Sequence, residues 1–276
     1  MRLSNILIAG FLAPALASPV AHDLVGREVG TPTVHKASVT RQNVALCSQY
    51  AYHASNGYEV LNNLWGKDQA QSGSQCTYFE GNTGSGIRWS SQWQWTGGEN
   101  LVKSYVYAGK ILQKGIKVAN ARRMPTSIQW SYDTQNMRAN VAYDIFTHTD
   151  PNHVNSSGDY ELMIWLGRYG GIWPISDTQD RPIAKVNIAG YQWDLYYGHN
   201  GAMQVYSFVV PGDLRQTPSP YSSFNADVKL FFDYLTQNHG YPAQQQNLIV
   251  YQVGTEAFTG GPARFSVSDF SANVET

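Results

Sequence analysis

Residues 160–167 read Tyr-Glu-Leu-Met-Ile-Trp-Leu-Gly, a strict alternation between two kinds of side chain. Successive side chains of a β-strand point to opposite faces of the sheet, so this run predicts a strand with two unlike faces. The apolar face predicts a core position and carries Tyr160, Leu162, Ile164 and Leu166. The other face carries Glu161, Met163 and Trp165. A carboxylate beside a thioether and an indole is typical of a groove floor, although one charge on a partly exposed sheet gives the same pattern.

Alternating runs recur along most of the chain and favour an all-β fold of two packed sheets. They lie at residues 87–95, 128–132, 138–147, 203–210 and 247–256. Asn56-Gly57 and Asn200-Gly201 predict hairpins, because Asn-Gly suits the positive φ angles of a two-residue turn. An aromatic residue before proline, next to two glycines, favours a cis peptide bond at Trp173-Pro174.

One segment departs from the alternation and predicts an amphipathic helix of about four turns. Its apolar residues fall at i, i+3, i+4 and i+7, namely Val228, Phe231, Phe232 and Leu235. Ser223 and Asn225 are candidate N-caps, and Gly240 suits the left-handed position after the last turn. We expect this helix to pack against one of the sheets.

Charge and composition narrow the choice of ligand. Charged residues make up 14% of the chain and the net charge is -1, whereas soluble domains average roughly 25% charged residues. Without a basic field we expect no nucleic-acid partner. Abundant Trp, Tyr, Asn, Gln and Gly favour neutral, hydroxylated ligands, and sugars are the leading candidates.

The N-terminal region is predicted to precede the folded domain. Residues 1–17 have the positive start, short apolar run and Ala-Leu-Ala site of a secretory signal peptide. The apolar run is shorter than the about 20 residues that a membrane span needs. Residues 18–43 predict a disordered leader or propeptide, trimmed after a basic residue such as Arg41. We expect one secreted domain over residues 44–276, with no membrane partner.

The two cysteines, Cys47 and Cys76, are expected to form a disulfide, because secreted proteins fold in an oxidising compartment. Asn155 opens the single Asn-x-Ser/Thr acceptor site of the chain. The sequence does not decide whether that site carries a glycan.

The sequence contains no motif typical of a metal site, a nucleotide-binding loop or a serine nucleophile. The 7 histidines show no metal-ligand spacing, and two cysteines are too few for a typical structural zinc site. Gly84-Ser85-Gly86 lacks the third glycine of a nucleotide loop, and no Gly-x-Ser-x-Gly elbow is present. We therefore expect no metal and no cofactor.

Two of the glutamates, Glu161 and Glu256, lie on apolar-flanked strands among aromatic and amide side chains. If they face each other across a groove, they supply the acid and the ionised carboxylate that cleave a glycosidic bond. Spacing along the chain leaves open whether they meet. Glu59, next to a predicted hairpin, is interpreted as facing water.

Longer motifs resemble glycoside hydrolase family 12, the small secreted endo-β-1,4-glucanases. They lie at residues 62–66 (Asn-Asn-Leu-Trp-Gly), 93–95 (Trp-Gln-Trp), 102–105, 138–144, 158–166, 200–201, 205–208 and 254–260. The resemblance covers nearly all of residues 46–274. It implies a jelly-roll β-sandwich with a concave substrate cleft, one α-helix on the convex side, and cleavage with retention of anomeric configuration.

The resemblance also implies roles for single residues. Glu161 corresponds to the nucleophile, Glu256 to the general acid/base, and Asp144 to the carboxylate beside the nucleophile. The predicted substrate-binding residues are Tyr50, Asn63, Trp65, Met163 and Trp165. The cysteine pair corresponds to the family's N-terminal disulfide.

Two departures from the family pattern are visible. Tyr50 stands where some members have Trp, which predicts a weaker or shifted sugar platform. Ala257 follows the acid/base where some members have Pro, which predicts a looser turn.

Alternatives stay open for three of these residues. Asp144 either orients Glu161 as a protonated hydrogen-bond donor or satisfies backbone amides. Trp65 is either a sugar platform or a core indole, and Met163 either contacts sugar or only packs the groove floor.

The predicted function is a retaining endo-β-1,4-glucanase, secreted and monomeric, with a β-glucan partner. Cellulose-like glucan, mixed-linkage glucan and xyloglucan are all candidate substrates, and a xyloglucan-specific enzyme is the first alternative. A non-catalytic glucan-binding or host-interaction protein is the second. Retention of both glutamates favours an enzyme, since an inactive relative is expected to lose one.

Overall fold

The computed structural model describes residues 43–153 and 156–276. The predicted signal peptide, almost all of the predicted leader, and Asn155 lie outside these residues. Within the described ranges, no helix is long and apolar enough to cross a membrane.

Fourteen strands and one α-helix make up the regular structure of the described residues. The strands are β1 Val44–Leu46, β2 Ala51–Ser55, β3 Tyr58–Asn62, β4 Ser72–Asn82, β5 Ile87–Thr96, β6 Ser104–Lys110, β7 Pro125–Tyr132, β8 Met137–His148, β9 Tyr160–Tyr169, β10 Ala184–Ile188, β11 Tyr191–Asn200, β12 Met203–Val209, β13 Ser223–Asp227 and β14 Asn247–Ala272. The helix α1 spans Lys229–His239, and two short 3₁₀ turns lie at Lys67–Gln69 and Val118–Asn120.

Strand β14 joins the two sheets of the sandwich. Its first half pairs with β6 and β8, and its second half pairs with β5 and β7. The strand changes partners at Gly260 and Gly261, whose φ angles of 109° and 90° are open to glycine at little cost. The long sheet therefore has the order β2-β3-β6-β14-β8-β9-β12-β11-β10, and the short sheet has the order β1-β4-β5-β14-β7-β13.

The main core lies between the facing sides of the two sheets. Leu162 and Ile164 of β9 and Trp89 of β5 are at most 2% exposed, and the rings of Trp89 and Phe265 meet edge to face at 5.4 Å. Full burial of such a side chain stabilises the fold by about 1.5–3 kcal/mol. The opposite face of the long sheet carries a second apolar cluster that includes Met163. The predicted strand with two unlike faces is confirmed.

Helix α1 packs its apolar stripe against the core face of the long sheet, as predicted. The ring of Phe231 lies 5.0 Å from Phe208 and 5.6 Å from Trp193. Gly240 ends the helix with φ 69°. The predicted length was too great, since α1 has 11 residues, about three turns.

The predicted N-caps of α1 are wrong. Ser223 and Asn225 belong to β13, because residues 223–227 pair with β7. The Oδ1 atom of Asp227 accepts hydrogen bonds from the backbone N–H groups of Lys229 (3.0 Å) and Met124 (2.7 Å) instead. The carboxylate thereby ties the start of the helix to the chain before β7.

Both predicted hairpins and the disulfide are confirmed. Asn56 and Gly57 have φ angles of 53° and 76°, as a type I′ turn requires. Asn200 pairs with Met203 across the second turn. Cys47 is bonded to Cys76, which ties the segment between β1 and β2 to β4.

The predicted cis peptide bond at Trp173-Pro174 is wrong, since the cis bond of the described chain is Gly261-Pro262. Gly170 and Gly171, with φ angles of 72° and 68°, already reverse the chain after β9. The turn is complete before the proline, so nothing requires a cis bond there.

Candidate active site

Three neighbouring strands of the long sheet place the predicted catalytic carboxyl groups on one face. Asp144 on β8 lies directly opposite Met163 on β9 and Gln252 on β14. Glu161 precedes Met163 by two residues, and Glu256 follows Gln252 by four, so period-2 alternation puts both on the face of Asp144. Residues far apart in the chain are therefore brought together by strand register.

These carboxyl groups are largely withdrawn from water. Asp144 is 8% exposed and Glu161 is 7% exposed, and Glu256 is half-buried. In the described part of the chain, none of the ion pairs involves any of the three. Their mutual repulsion is therefore not offset by an ion pair.

Burial and mutual repulsion favour the protonated forms of these three carboxyl groups. Burial, followed by the charge of Glu256, raises the pKa of Glu161 to about 8. Burial raises the pKa of Glu256 to about 7. Burial and the charges of Glu161 and Glu256 raise the pKa of Asp144 well above its usual range. The three groups cannot all be ionised near neutral pH.

Asp144 and Glu161 share a hydrogen bond that acts differently on the two groups. The bond lowers the pKa of Glu161 and raises that of Asp144. A protonated Asp144 that donates to an ionised Glu161 has this effect.

Asn140 holds Glu256 from two sides, and sequence reasoning did not single it out. Its Nδ2 donates to Oε2 of Glu256, and its Oδ1 accepts from the backbone N–H of Glu256 at 2.9 Å. The side chain of Asn140 is fully buried on β8. The residue lies in one of the recognised motifs, but its partner is 116 positions away.

The predicted substrate-binding residues fall into two groups. Tyr50 and Trp65 expose 53% and 52% of their surface, so both rings are open to a ligand. Asn63, close to Trp65 in the chain, is half-buried. Met163 is 4% exposed and lies in the floor. The core-indole alternative for Trp65 is thereby removed.

Trp165 needs a correction as a sugar-contacting residue. It is 2% exposed, and its Nε1–H donates to the sulfur of Met163 at 3.4 Å. Since the polar edge is already paired and the ring is enclosed, Trp165 packs beside Met163 and has no open surface for a sugar.

Glu59 does not face water as expected. It is half-buried, and burial raises its pKa although hydrogen bonds from Tyr107, Tyr52 and Gln252 act in the opposite direction. The hairpin signal at Asn56-Gly57 located the turn correctly. The signal gave no information on which residues of the neighbouring strands contact the side chain of Glu59.

Lys103 anchors the segment that follows Glu256. Its side chain is fully buried, and Nζ donates to the carbonyl oxygens of Gly98 (2.7 Å), Leu101 (2.6 Å) and Phe258 (2.9 Å). The backbone N–H of Lys103 also donates to the carbonyl oxygen of Ala257 at 2.8 Å. The predicted looseness after Glu256 is countered by these bonds.

No group of three or more His, Cys, Asp or Glu side chains within residues 43–153 and 156–276 could hold a metal ion.

Acidic side chains withdrawn from water on one face of a jelly-roll sandwich, beside open aromatic rings, are typical of the glycoside hydrolases. A model of glycosyl hydrolase family 12 matches residues 56–275, and the chain belongs to this family of glycoside hydrolases.

Individual relatives agree with this assignment. The chain is 44% identical over 246 residues to Endoglucanase A of Aspergillus kawachii, which covers 88% of this chain and 98% of that protein. It is 40% identical over 238 residues to the xyloglucan-specific endo-β-1,4-glucanase A of Emericella nidulans, covering 86% and 94% of the two chains.

A solved relative has the same fold. The catalytic domain of Humicola grisea Cel12A, in complex with a thio cellotetraose, is 55% identical with a TM-score of 0.79. The match covers 84% of this chain and 99% of that domain.

Proposed function

We propose that this protein cleaves internal bonds of β-1,4-glucans with retention of configuration, using Glu161 and Glu256 in a double displacement. The observation that carries the proposal is the difference between the partners of the two glutamates. Glu161 is paired with a second carboxyl group, Asp144, and Glu256 is paired with an amide, Asn140. The names of the relatives supply the substrate class.

In the first step Glu161 attacks the anomeric carbon and forms a covalent glycosyl-enzyme. The attack needs an ionised carboxylate. The charge of Glu256 is one of the causes that raise the pKa of Glu161, so a protonated Glu256 lowers the pKa of Glu161 and favours its ionised form. A neutral Asp144 then leaves the negative charge on Glu161 and, through its hydrogen bond, orients the attacking group. Met163, directly opposite Asp144, fills the floor beside it and limits the water that could compete.

Glu256 acts as general acid and then as general base. It gives its proton to the glycosidic oxygen as the bond breaks, and it later takes a proton from the water that attacks the glycosyl-enzyme. A pKa of about 7 keeps the proton on Glu256 in mildly acidic solution. The amide of Asn140 stabilises the charged form that exists between the two steps.

The surroundings of the site suit a long chain. A cavity of 350 Å³ lies against β3, β6 and β14, and another of 830 Å³ lies against β10 and β11. In strand order these cavities flank β8 and β9. Exposed indoles at Trp65 and Trp173 offer stacking surfaces for sugar rings. Space on both sides of the carboxyl groups supports cleavage inside a polymer.

A side-by-side product analysis tests the proposed function. The protein is incubated with soluble cellulose, mixed-linkage glucan and xyloglucan, and the products and viscosity are followed. We expect a fast fall in viscosity and a range of oligosaccharides from at least one polymer. Release of single sugars only, or no cleavage of any of the three, would contradict the proposal. The polymer cleaved fastest identifies the preferred substrate.

We also propose that the protein is secreted and acts as a monomer without a nucleic-acid or membrane partner. The signal-like residues 1–17 and the Cys47–Cys76 disulfide support secretion, since disulfides form in oxidising compartments. Mass analysis and light scattering of protein from culture medium should show one chain that lacks residues 1–17.

A further inference from the structure

A tyrosine that the proposed mechanism does not use lies among the carboxyl groups of Asp144, Glu161 and Glu256. Tyr105 on β6 is directly opposite Glu256 on β14 and is 5% exposed. Burial, followed by the charges of neighbouring groups that include all three carboxylates, raises the pKa of Tyr105 well above its usual range. The phenol therefore stays protonated near neutral pH, and its hydroxyl group is a permanent hydrogen-bond donor.

The hydroxyl group of Tyr105 crosses β14 and reaches β8. Its Oη atom donates to the buried carbonyl oxygen of Ala142 at 3.0 Å. Strands β6 and β8 both pair with β14, so this bond joins strands about two spacings, roughly 10 Å, apart. Gly254 of β14 lies opposite Ala142, and a Cβ atom there would be 2.0 Å from the carbonyl oxygen of Val106. The bond is therefore made where β6 approaches β14 closely.

The bond ends on an irregular part of β8. The register of β8 against β9 shifts between Val141 and Ala142, which is the pattern of a β-bulge. A bulge bends its strand, re-aims nearby side chains and locally disrupts the ladder of hydrogen bonds. The hydroxyl group of Tyr105 supplies an additional hydrogen bond at the point where the ladder is weakened.

The same part of β8 determines how the two glutamates are placed. Ala142 lies two residues from Asn140 and two residues from Asp144. Asn140 is hydrogen-bonded to Glu256, and Asp144 is hydrogen-bonded to Glu161. A shift of the strand at Ala142 would therefore change the distance between the two glutamates.

We propose that Tyr105 is a positioning residue, whose hydroxyl group fixes β8 at Ala142. The bond thereby sets the separation of Glu161 and Glu256. This inference rests on the proposed function. Retention requires two carboxyl groups about 5–5.5 Å apart, and a misplacement of about 1 Å can cost about 10²-fold in rate. Tyr105 acts through β8 and not on the sugar, because its proton is donated to the main chain.

Three variants separate positioning from stability. Tyr105→Phe removes the donor to Ala142 and keeps the ring. A variant with p-aminophenylalanine at position 105 keeps the ring and an N–H donor. Tyr143→Phe is the matched control, because the hydroxyl group of this buried residue is hydrogen-bonded to Oγ1 of Thr126 at 2.9 Å. Tyr143 also lies on β8, but it belongs to the core between the sheets.

The probe is an activated aryl cellobioside with fluorine in place of the hydroxyl group next to the anomeric carbon. The fluorine slows hydrolysis of the glycosyl-enzyme, so the covalent intermediate accumulates on Glu161. Mass spectrometry of the intact protein follows this labelling with time. The final labelled fraction counts the folded, competent molecules, and the rate constant reports the chemical step in those molecules alone. The dependence of the rate on probe concentration gives the dissociation constant of the probe.

We expect Tyr105→Phe to lower the rate constant of labelling about 10- to 100-fold. The dissociation constant of the probe should stay within about twofold of that of the unmodified protein. The p-aminophenylalanine variant should recover most of the rate constant, because its amine donates to the same carbonyl oxygen. Tyr143→Phe should be labelled with a rate constant within about twofold of that of the unmodified protein.

Four outcomes would overturn the proposal. The first is a rate constant of Tyr105→Phe within about twofold of that of the unmodified protein, even if a smaller fraction is labelled, since fewer folded molecules indicate a role in stability alone. The second is failure of Tyr105→Phe to fold while Tyr143→Phe folds. The others are an equal loss in Tyr143→Phe and a p-aminophenylalanine variant as slow as Tyr105→Phe. If the unmodified protein forms no covalent adduct and cleaves no glucan, the proposed function fails instead.

Discussion

Glu161 and Glu256 lie on β9 and β14, on either side of β8, and the two regions differ in the chemistry of the nearest partner. The side chain of Glu161 is hydrogen-bonded to the carboxyl group of Asp144, which can stay protonated while Glu161 is ionised. Glu256 meets an amide that has no proton to exchange and that also fixes its backbone. Two glutamates on one sheet face can thus take opposite roles, because each partner sets where the proton resides.

The largest effect is expected from Glu161→Gln. The amide has nearly the same shape but cannot form a glycosyl-enzyme, so activity on glucan should fall on the order of 10⁴-fold or more. Initial rates of reducing-sugar release measure the loss, with circular dichroism as the control for folding. A loss below about tenfold would show that Glu161 is not the nucleophile.

Asp144→Ala tests the carboxyl partner of Glu161. Without the donated hydrogen bond the pKa of Glu161 should rise, so the acidic limb of the kcat/KM profile should move to higher pH. The rate at the optimum should fall about 10- to 100-fold. Asp144→Asn keeps an N–H donor. It should therefore restore much of the rate at the optimum and much of the original position of the acidic limb. An unchanged acidic limb in the Asp144→Ala variant would show that Asp144 does not set the proton affinity of Glu161.

Asn140→Asp makes the partner of Glu256 resemble that of Glu161. A second carboxyl group beside Glu256 disfavours its ionised form, so the alkaline limb of the pH profile should move upward. The acidic limb, which reports Glu161, should change less. A shift of the alkaline limb to lower pH would show that Asn140 does not set the proton affinity of Glu256.

The smallest effect concerns stability. The folded-state pKa values of Glu161 (about 8) and Glu256 (about 7) lie above the roughly 4.3 of an unfolded chain. The folded state therefore binds more protons, and stability should fall as pH rises from about 4.5 to 8, on the order of a few kcal/mol. Chemical denaturation at several pH values measures it. Glu161→Gln should flatten the slope, and a rising stability over this range would contradict the raised pKa values.

The fold follows from the sequence wherever a pattern is local. The alternation of residues 160–167 locates β9 and its two faces, and the Asn-Gly pairs locate two turns. The N-cap of α1 was missed because β13 competes for residues 223–227, and a pairing with β7 has no local signature. The cis peptide bond was misplaced because two glycines had already made the turn.

The site is predictable in its residue types and less so in its contacts. Two glutamates on apolar-flanked strands were visible in the sequence, and the family resemblance supplied their roles. The contact of Asn140 with Glu256 and that of Glu59 with Gln252 depend on the register of strands distant in the chain. Periodicity gives the face of a strand but not the residue opposite on its neighbour.

The most direct test of the account is the anomeric configuration of azide products. An activated aryl cellobioside is incubated with azide and either Glu161→Gly or Glu256→Ala, and the glycosyl azides are identified by NMR. The Glu161 variant leaves room for azide to attack the anomeric carbon once, so it should give the α-azide. The Glu256 variant still forms the glycosyl-enzyme, and a second inversion by azide should give the β-azide, while its activity on glucan falls about 10²–10⁴-fold. The opposite pair of products would show that the roles of Glu161 and Glu256 are reversed.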